Sequence, residues 1–243
     1  MLLLVLWVGV NGCSHNGTGV DGQVGDVQGT GGDQSGQACG GRVLLQVTNA
    51  RDLGGQPLEG GYRVACRQIM RGGELSALTG VGCADFAALG ISTVIDLRET
   101  TDLPAASCVS SRARVIAAPL PKLLPDTPDN YLALLEQKSS LGVVFEALGQ
   151  ATSYPVYIHC VIGRDRASVV SALVLLALGA SRQTVIDEFN LSAQANVPVK
   201  PANIETVLDQ IDKLGGIKAY LTALGVTASQ LDGLLSRGRE KTS

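Results

Sequence analysis

The stretch YPVYIHCVIGRDRASVVSALVLLALGAS, residues 154–181, decides the fold. Pro155–His159 is a short β-branched and aromatic run, which predicts a buried strand. ASVVSALVLLALG, residues 167–179, is apolar on nearly every side, and a helix of that kind sits inside a protein rather than on its surface. Between them lie Cys160 and Arg166, separated by five residues. A loop running from a strand's end into a helix start aims several backbone N–H groups at one place, and the helix adds its own positive field there. Such a field favours the thiolate form of a nearby cysteine. An arginine at the helix start can grip two oxygens of a phosphate with its planar fork. Gly163 permits the tight curvature the cradle needs. The residues suit covalent attack by sulfur on phosphorus.

Working outward, RVLLQVTNARDLGG (42–55) starts with alternating apolar residues and ends at a Gly-Gly turn. YRVACRQIM (62–70) predicts one strand, Leu75–Leu89 a helix stopped by Gly90, and ISTVIDLRE a buried strand ending near Asp96. ARVIAAPLP predicts another strand, cut off by Pro119 and Pro121. Helical spacing recurs in 129–138 and 141–150. Beyond the central helix it recurs in 181–190, 202–214, 216–224 and 227–236, with Thr227 as a cap. This alternation implies an α/β domain: a central, mainly parallel sheet flanked by helices, with a helical C-terminal part.

Four ordered landmarks, NARDLGG (49–55), RGGEL followed by LTGVG (71–82), LGISTVIDLRE (89–99) and HCVIGRDR (159–166), resemble the protein tyrosine phosphatase superfamily. They are most similar to its bacterial branch of tyrosine/serine and lipid phosphatases, related to the secreted mycobacterial enzyme. The resemblance implies a tyrosine-phosphatase-like fold, a phosphate-monoester hydrolase, and neither metal nor cofactor. It implies Cys160 as nucleophile and Arg166 as the phosphoryl ligand, with the loop residues Val161, Ile162, Gly163, Arg164 and Asp165 cradling the oxyanion. The leaving group needs a proton, and the branch uses an aspartate. Asp96 is the expected general acid and Asp165 a carboxylate that positions water, arginine or substrate, with Asp126 and Asp129 as outside candidates. Arg164, where the branch has lysine, suits substrates with several phosphates or merely raises the local potential. Ala167 stands where the branch has Ser or Thr, whose hydroxyl helps the thiolate leave, so slow breakdown of a phosphocysteine is expected. His159 is expected to be a buried support. Arg51, Asp52, Arg98 and Glu99 are expected to make structural ion pairs, and Arg71 is open between substrate contact and structure.

The N-terminus carries a different message. MLLLVLWVGVNGC is a ten-residue apolar run ending near Cys13, too short to span a bilayer and shaped like an export signal. Val10–Cys13 resembles a lipobox, which implies a lipidated Cys13, residues 1–13 as signal and an outer-membrane tether as the only membrane attachment. Residues 14–41 are rich in Gly, Asp, Gln and Ser and predict a flexible tether before a domain at 42–243. With Cys13 and Cys160 assigned, four of the six cysteines remain, an even number that suits an oxidising compartment. Of three possible pairings, Cys83 with Cys108 and Cys39 with Cys66 is favoured.

A net charge of −3 and few aromatic residues argue against nucleic acid as a partner. The expected partner is a phosphorylated protein, phosphoinositide or inositol phosphate. Two other classes stay open: a phosphate-recognition module with weak or no catalysis, and a rhodanese-like sulfurtransferase.

Overall fold

The computed structural model describes residues 39–99, 102 and 104–242. The signal, Cys13 and most of the tether therefore lie outside the described residues.

The central sheet takes β1 (Arg51–Asp52), β4 (Ile69–Gly72), β7 (Val156–His159), β5 (Thr93–Asp96) and β6 (Arg114–Ala117), in that spatial order. β4, β7, β5 and β6 run parallel, while β1 pairs antiparallel with β4. The expected mainly parallel sheet is thus present. β2 (Pro57–Leu58), β3 (Tyr62–Val64) and β8 (Arg239–Lys241) form a separate antiparallel sheet.

Strand side chains alternate between two apolar layers, as the period of a strand requires. Ile69, Ile95, Val156 and Ile158 face the larger layer, built with α3 (Pro128–Leu135), α4 (Lys138–Leu148), α5 (Asp165–Leu178), α6 (Arg182–Gln194), α7 (Pro201–Lys213), α8 (Gly216–Ala223) and α9 (Ala228–Gly238). Met70, Val94 and Tyr157 face a smaller layer with Phe86 of α1 (Gly80–Ala88) and Val109 of α2 (Ser107–Ser110). A parallel sheet covered on both faces explains why β5 and β7 read as continuous apolar runs. Helix α5 is the buried central helix expected, and it ends on Gly179, whose φ of +99° is the left-handed conformation of a helix stop. Thr227 caps α9 with a reciprocal box to Gln230.

Three expectations change. Residues 62–70 are two strands in different sheets. The chain turns between them at Cys66–Arg67, where Asp52 accepts the Arg67 N–H at 2.9 Å and Cys66 is bridged to Cys39. The helix expected over Leu75–Leu89 starts only at Gly80, because Leu75 and Leu78 instead bury themselves in the smaller layer. The domain reaches back beyond Arg42: the Cys39–Cys66 disulfide and the Gly41 carbonyl, which accepts from the Asp52 N–H, fasten residues 39–41 to it. Cys83–Cys108 joins α1 to α2, so both favoured pairings are formed.

Candidate active site

Cys160 follows directly from β7, and the loop 161–164 leads into the first turn of α5 at Asp165. The loop's carbonyls are tied back to the scaffold. The Gly163 oxygen accepts from Asn49 Nδ2 at 2.9 Å and from Arg71 Nη2, and the Val161 oxygen accepts from the Glu74 N–H at 3.0 Å. None of the backbone hydrogen bonds among the described residues uses an N–H of 161–164 as donor. Carbonyls turned inward with amides left over form the concavity that binds anions. Gly163 has φ +72°, and a Cβ there would sit 2.3 Å from the Gly72 carbonyl carbon, so both conformation and close approach require glycine.

Arg166 is buried, and among the described residues its hydrogen bonds leave from Nη1, to the Leu97 carbonyl at 3.3 Å and the Leu120 carbonyl at 3.2 Å. The loops after β5 and β6 thereby fix one edge of the guanidinium. Cys160, the loop and Arg166 line one cavity of about 420 Å3, walled by Glu74, Asp102, Lys122, Leu123 and Leu124. Its rim is mixed: the exposed Leu124 and Ile162 stand beside the half-exposed Lys122.

The aspartates separate. Asp165 lines the cavity, accepts a hydrogen bond from the Tyr131 hydroxyl, and pairs with Arg164 Nε at 2.8 Å. Burial, together with the Asp165 charge, pushes the Tyr131 phenol upward and keeps it a donor. Asp96 is not among the residues lining the cavity. Burial pushes its carboxyl up, but hydrogen bonds from Arg98 and the proximity of His159 outweigh this and hold it below the usual carboxylate range. Asp126 is drawn off by Lys200 at 2.7 Å and Arg164 at 3.2 Å. Asp129 falls in the first turn of α3.

Arg164 is fully engaged. It reaches Asp165, Asp126 and the Pro198 carbonyl at 3.1 Å, and the Asp165 hydrogen bond raises its basicity further. His159 is buried and meets the Cys160 carbonyl through Nδ1 at 3.2 Å, the supporting role expected of it. Arg51 pairs with Glu188, Arg98 with Asp96 and Glu74, and Glu99 lies 3.8 Å from Lys122. Asp52 instead accepts the N–H groups of Gly40, Gly54 and Arg67. Arg71 is fully buried and takes the structural side of its open alternative, bonded to Gly163 and Glu188.

Sequence reasoning missed Asn49, Tyr131, Asp102, Lys122, Glu188 and Ser192. Only Asn49 carried a signal, lying within NARDLGG; the others reach the site from distant segments.

A sulfur at a strand's end, an amide cradle and an anchored arginine thus lie over one cavity. The model of the tyrosine phosphatase family matches residues 43–238, and the chain belongs to that family. It is a phosphatase. A protein of Cupriavidus necator assigned as a tyrosine-protein phosphatase is 27% identical over 209 residues, covering 76% of this chain and 74% of that protein. The triple specificity protein phosphatase PtpB of Mycobacterium tuberculosis is 27% identical over 185 residues, covering 59% and 67% respectively. Among solved structures, the Yvh1 phosphatase domain from Chaetomium thermophilum is 13% identical with a TM-score of 0.40, covering 65% of this chain and 95% of that one. A likeness at that level carries no weight beside the family match.

Proposed function

We propose that this phosphatase hydrolyses phosphate monoesters through a phosphocysteine. The Cys160 sulfur attacks phosphorus, the ester P–O bond breaks, and the leaving oxygen takes a proton. Water then attacks phosphorus, the S–P bond breaks, and inorganic phosphate departs. The observation that carries this reading is the loop itself: Cys160 and Arg166 line one cavity over a backbone whose carbonyls at 161 and 163 are turned away from it.

Asp165 is the better placed proton donor. It lines the cavity beside Cys160 and Arg166. Asp96, expected for that role, is held ionised by Arg98 outside the cavity lining.

The substrate favoured is a singly phosphorylated aryl ester, such as phosphotyrosine, over a phosphoinositide or inositol polyphosphate. The exposed Leu124 and Ile162 suit a ring, and the cavity's second cations are engaged, Arg164 by Asp165 and Asp126 and Lys122 near Asp102 and Glu99. Phosphoserine and phosphoinositide esters stay in the test panel beside phosphotyrosine.

An oxidising compartment fits the Cys39–Cys66 and Cys83–Cys108 bridges, and we place the enzyme outside the cytoplasm, tethered through a lipid on Cys13. Release of a Cys13→Ala variant from membranes tests the anchor.

The function is tested by vanadate-sensitive hydrolysis of p-nitrophenyl phosphate. Wild type should turn over and Cys160→Ser should not. Phosphate binding without turnover would instead make the chain a recognition module, and thiocyanate formation from thiosulfate would make it a sulfurtransferase.

A further inference from the structure

Behind the loop, Arg51, Glu188 and Arg71 form a buried cluster. Arg51 meets Glu188 at 2.7 Å and Arg71 meets it at 3.0 Å, and none of the three is more than 5% exposed. Asn49 and Ser192 complete the hydrogen bonding around Arg51. The cluster touches the loop directly, since Arg71 and Asn49 both donate to the Gly163 carbonyl.

The charge count there does not balance. Two guanidiniums face one carboxylate, and no second acid pairs with either arginine among the described residues. The carboxylate is ionised: burial pushes Glu188 up, but Arg51 and Arg71 together bring it below its ordinary value. Burial and the neighbouring Arg71 lower Arg51 only to about 10, so it remains a cation at neutral pH. One positive charge is therefore in excess within the protein interior, where an uncompensated charge is costly.

The other cations around Cys160 are offset. Arg164 faces Asp165 and Asp126, Arg98 faces Asp96 and Glu74, and Lys122 lies near Asp102 and Glu99. From β7 come two further titratable groups, the neighbouring His159 ring and Tyr157, whose phenol senses Arg71, Cys160 and Arg51 together. Arg166 is in no ion pair among the described residues, and it lies on the cavity side.

We propose that the surplus charge of the Arg51–Glu188–Arg71 cluster is the inner counter-charge of the Cys160 thiolate, acting from behind the loop while Arg166 serves the phosphoryl group from the cavity. Arg51, Arg71 and Glu188 are thus positioning residues that also set the sulfur's charge state. The idea rests on Cys160 being the nucleophile proposed above.

The test is the pH dependence of iodoacetamide alkylation in the full-length protein, followed on the Cys160 peptide by mass spectrometry. Arg51→Gln leaves the Arg71–Glu188 pair and the Gly163 contact but cancels the surplus, and should raise the alkylation midpoint by about one pH unit. Arg51→Lys should return it toward wild type. Glu188→Gln, which adds a charge, should move it the opposite way. An unchanged midpoint in a folded Arg51→Gln protein overturns the proposal, as does a Glu188→Gln midpoint that stays put or rises. Should Arg51→Gln fail to fold, Glu188→Gln still decides. Failure of the nucleophile reading looks different: wild type would hydrolyse esters as well after Cys160 is alkylated.

Discussion

Arg98 grips the Asp96 carboxylate along two edges, with Nη2 to Oδ2 at 2.8 Å and Nε to Oδ1 at 3.0 Å. Asp165 is gripped in the same manner by Arg164, Nε to Oδ1 at 2.8 Å and Nη2 to Oδ2 at 3.2 Å, so what separates the two is that Asp165 lines the cavity and Asp96 does not. Asp96→Asn should cost about 1–3 kcal/mol of stability and leave the dependence of kcat/KM on leaving-group basicity unchanged. Asp165→Asn should lower kcat/KM for phenyl phosphate by about a hundredfold or more, with a smaller loss for p-nitrophenyl phosphate, whose leaving group needs no proton. Steady-state kinetics on the two esters check this. A leaving-group effect in the Asp96 variant instead would restore Asp96 as the acid.

Ala167 is fully buried at the position after Arg166, and the neighbouring Ser168 hydroxyl is buried without a hydrogen-bond partner among the described residues. One residue along a helix is a rotation of about 100°, so Ser168 does not stand in for a hydroxyl at 167. Rapid mixing should show a burst of nitrophenol before a slower steady state. Ala167→Ser should shrink the burst and raise kcat.

Acid should weaken the fold early. Burial lowers the His159 proton affinity below its ordinary 6.5, against the pull of Asp96. A group whose folded pKa is depressed contributes stability that is complete above its unfolded pKa and is lost as pH falls toward the folded one. The melting temperature should therefore begin to drop below pH 6.5, before the carboxylates Asp96 and Glu188, also depressed, add their own losses at lower pH. Differential scanning calorimetry of wild type and His159→Asn across this range should show the first drop only in wild type.

The bridges Cys39–Cys66 and Cys83–Cys108 close loops of 27 and 25 residues in sequence separation. Loop-closure entropy makes each worth about 3.5 kcal/mol. Replacing Cys83 and Cys108 together by alanine should lower the urea midpoint with little change in KM, since α1 and α2 pack on the face opposite α5.

Local features were legible in the sequence. HCVIGRDR, the apolar α5 and the Thr227 cap are each written within a few neighbouring residues, so strand, loop, helix and cap could be read directly. Long-range features were not. β8 is Arg-Glu-Lys, three charged residues with no strand pattern, and it exists because it pairs with β3 from the other end of the chain. Glu188 looked like an ordinary polar position of an amphipathic helix, and its partners Arg51 and Arg71 lie more than a hundred residues away. Asp96 ends a strand beside the loop, which in sequence suggests an acid; its two-edged pairing with Arg98, only two residues on, is visible only in the structure.

The most direct measurement is acid quenching during turnover of an aryl phosphate, followed by intact-mass and peptide analysis. The account predicts one added phosphoryl group, confined to the Cys160 peptide, accumulating in wild type and absent from Cys160→Ser. Full turnover with no phosphoryl group on Cys160 at any time point would contradict it.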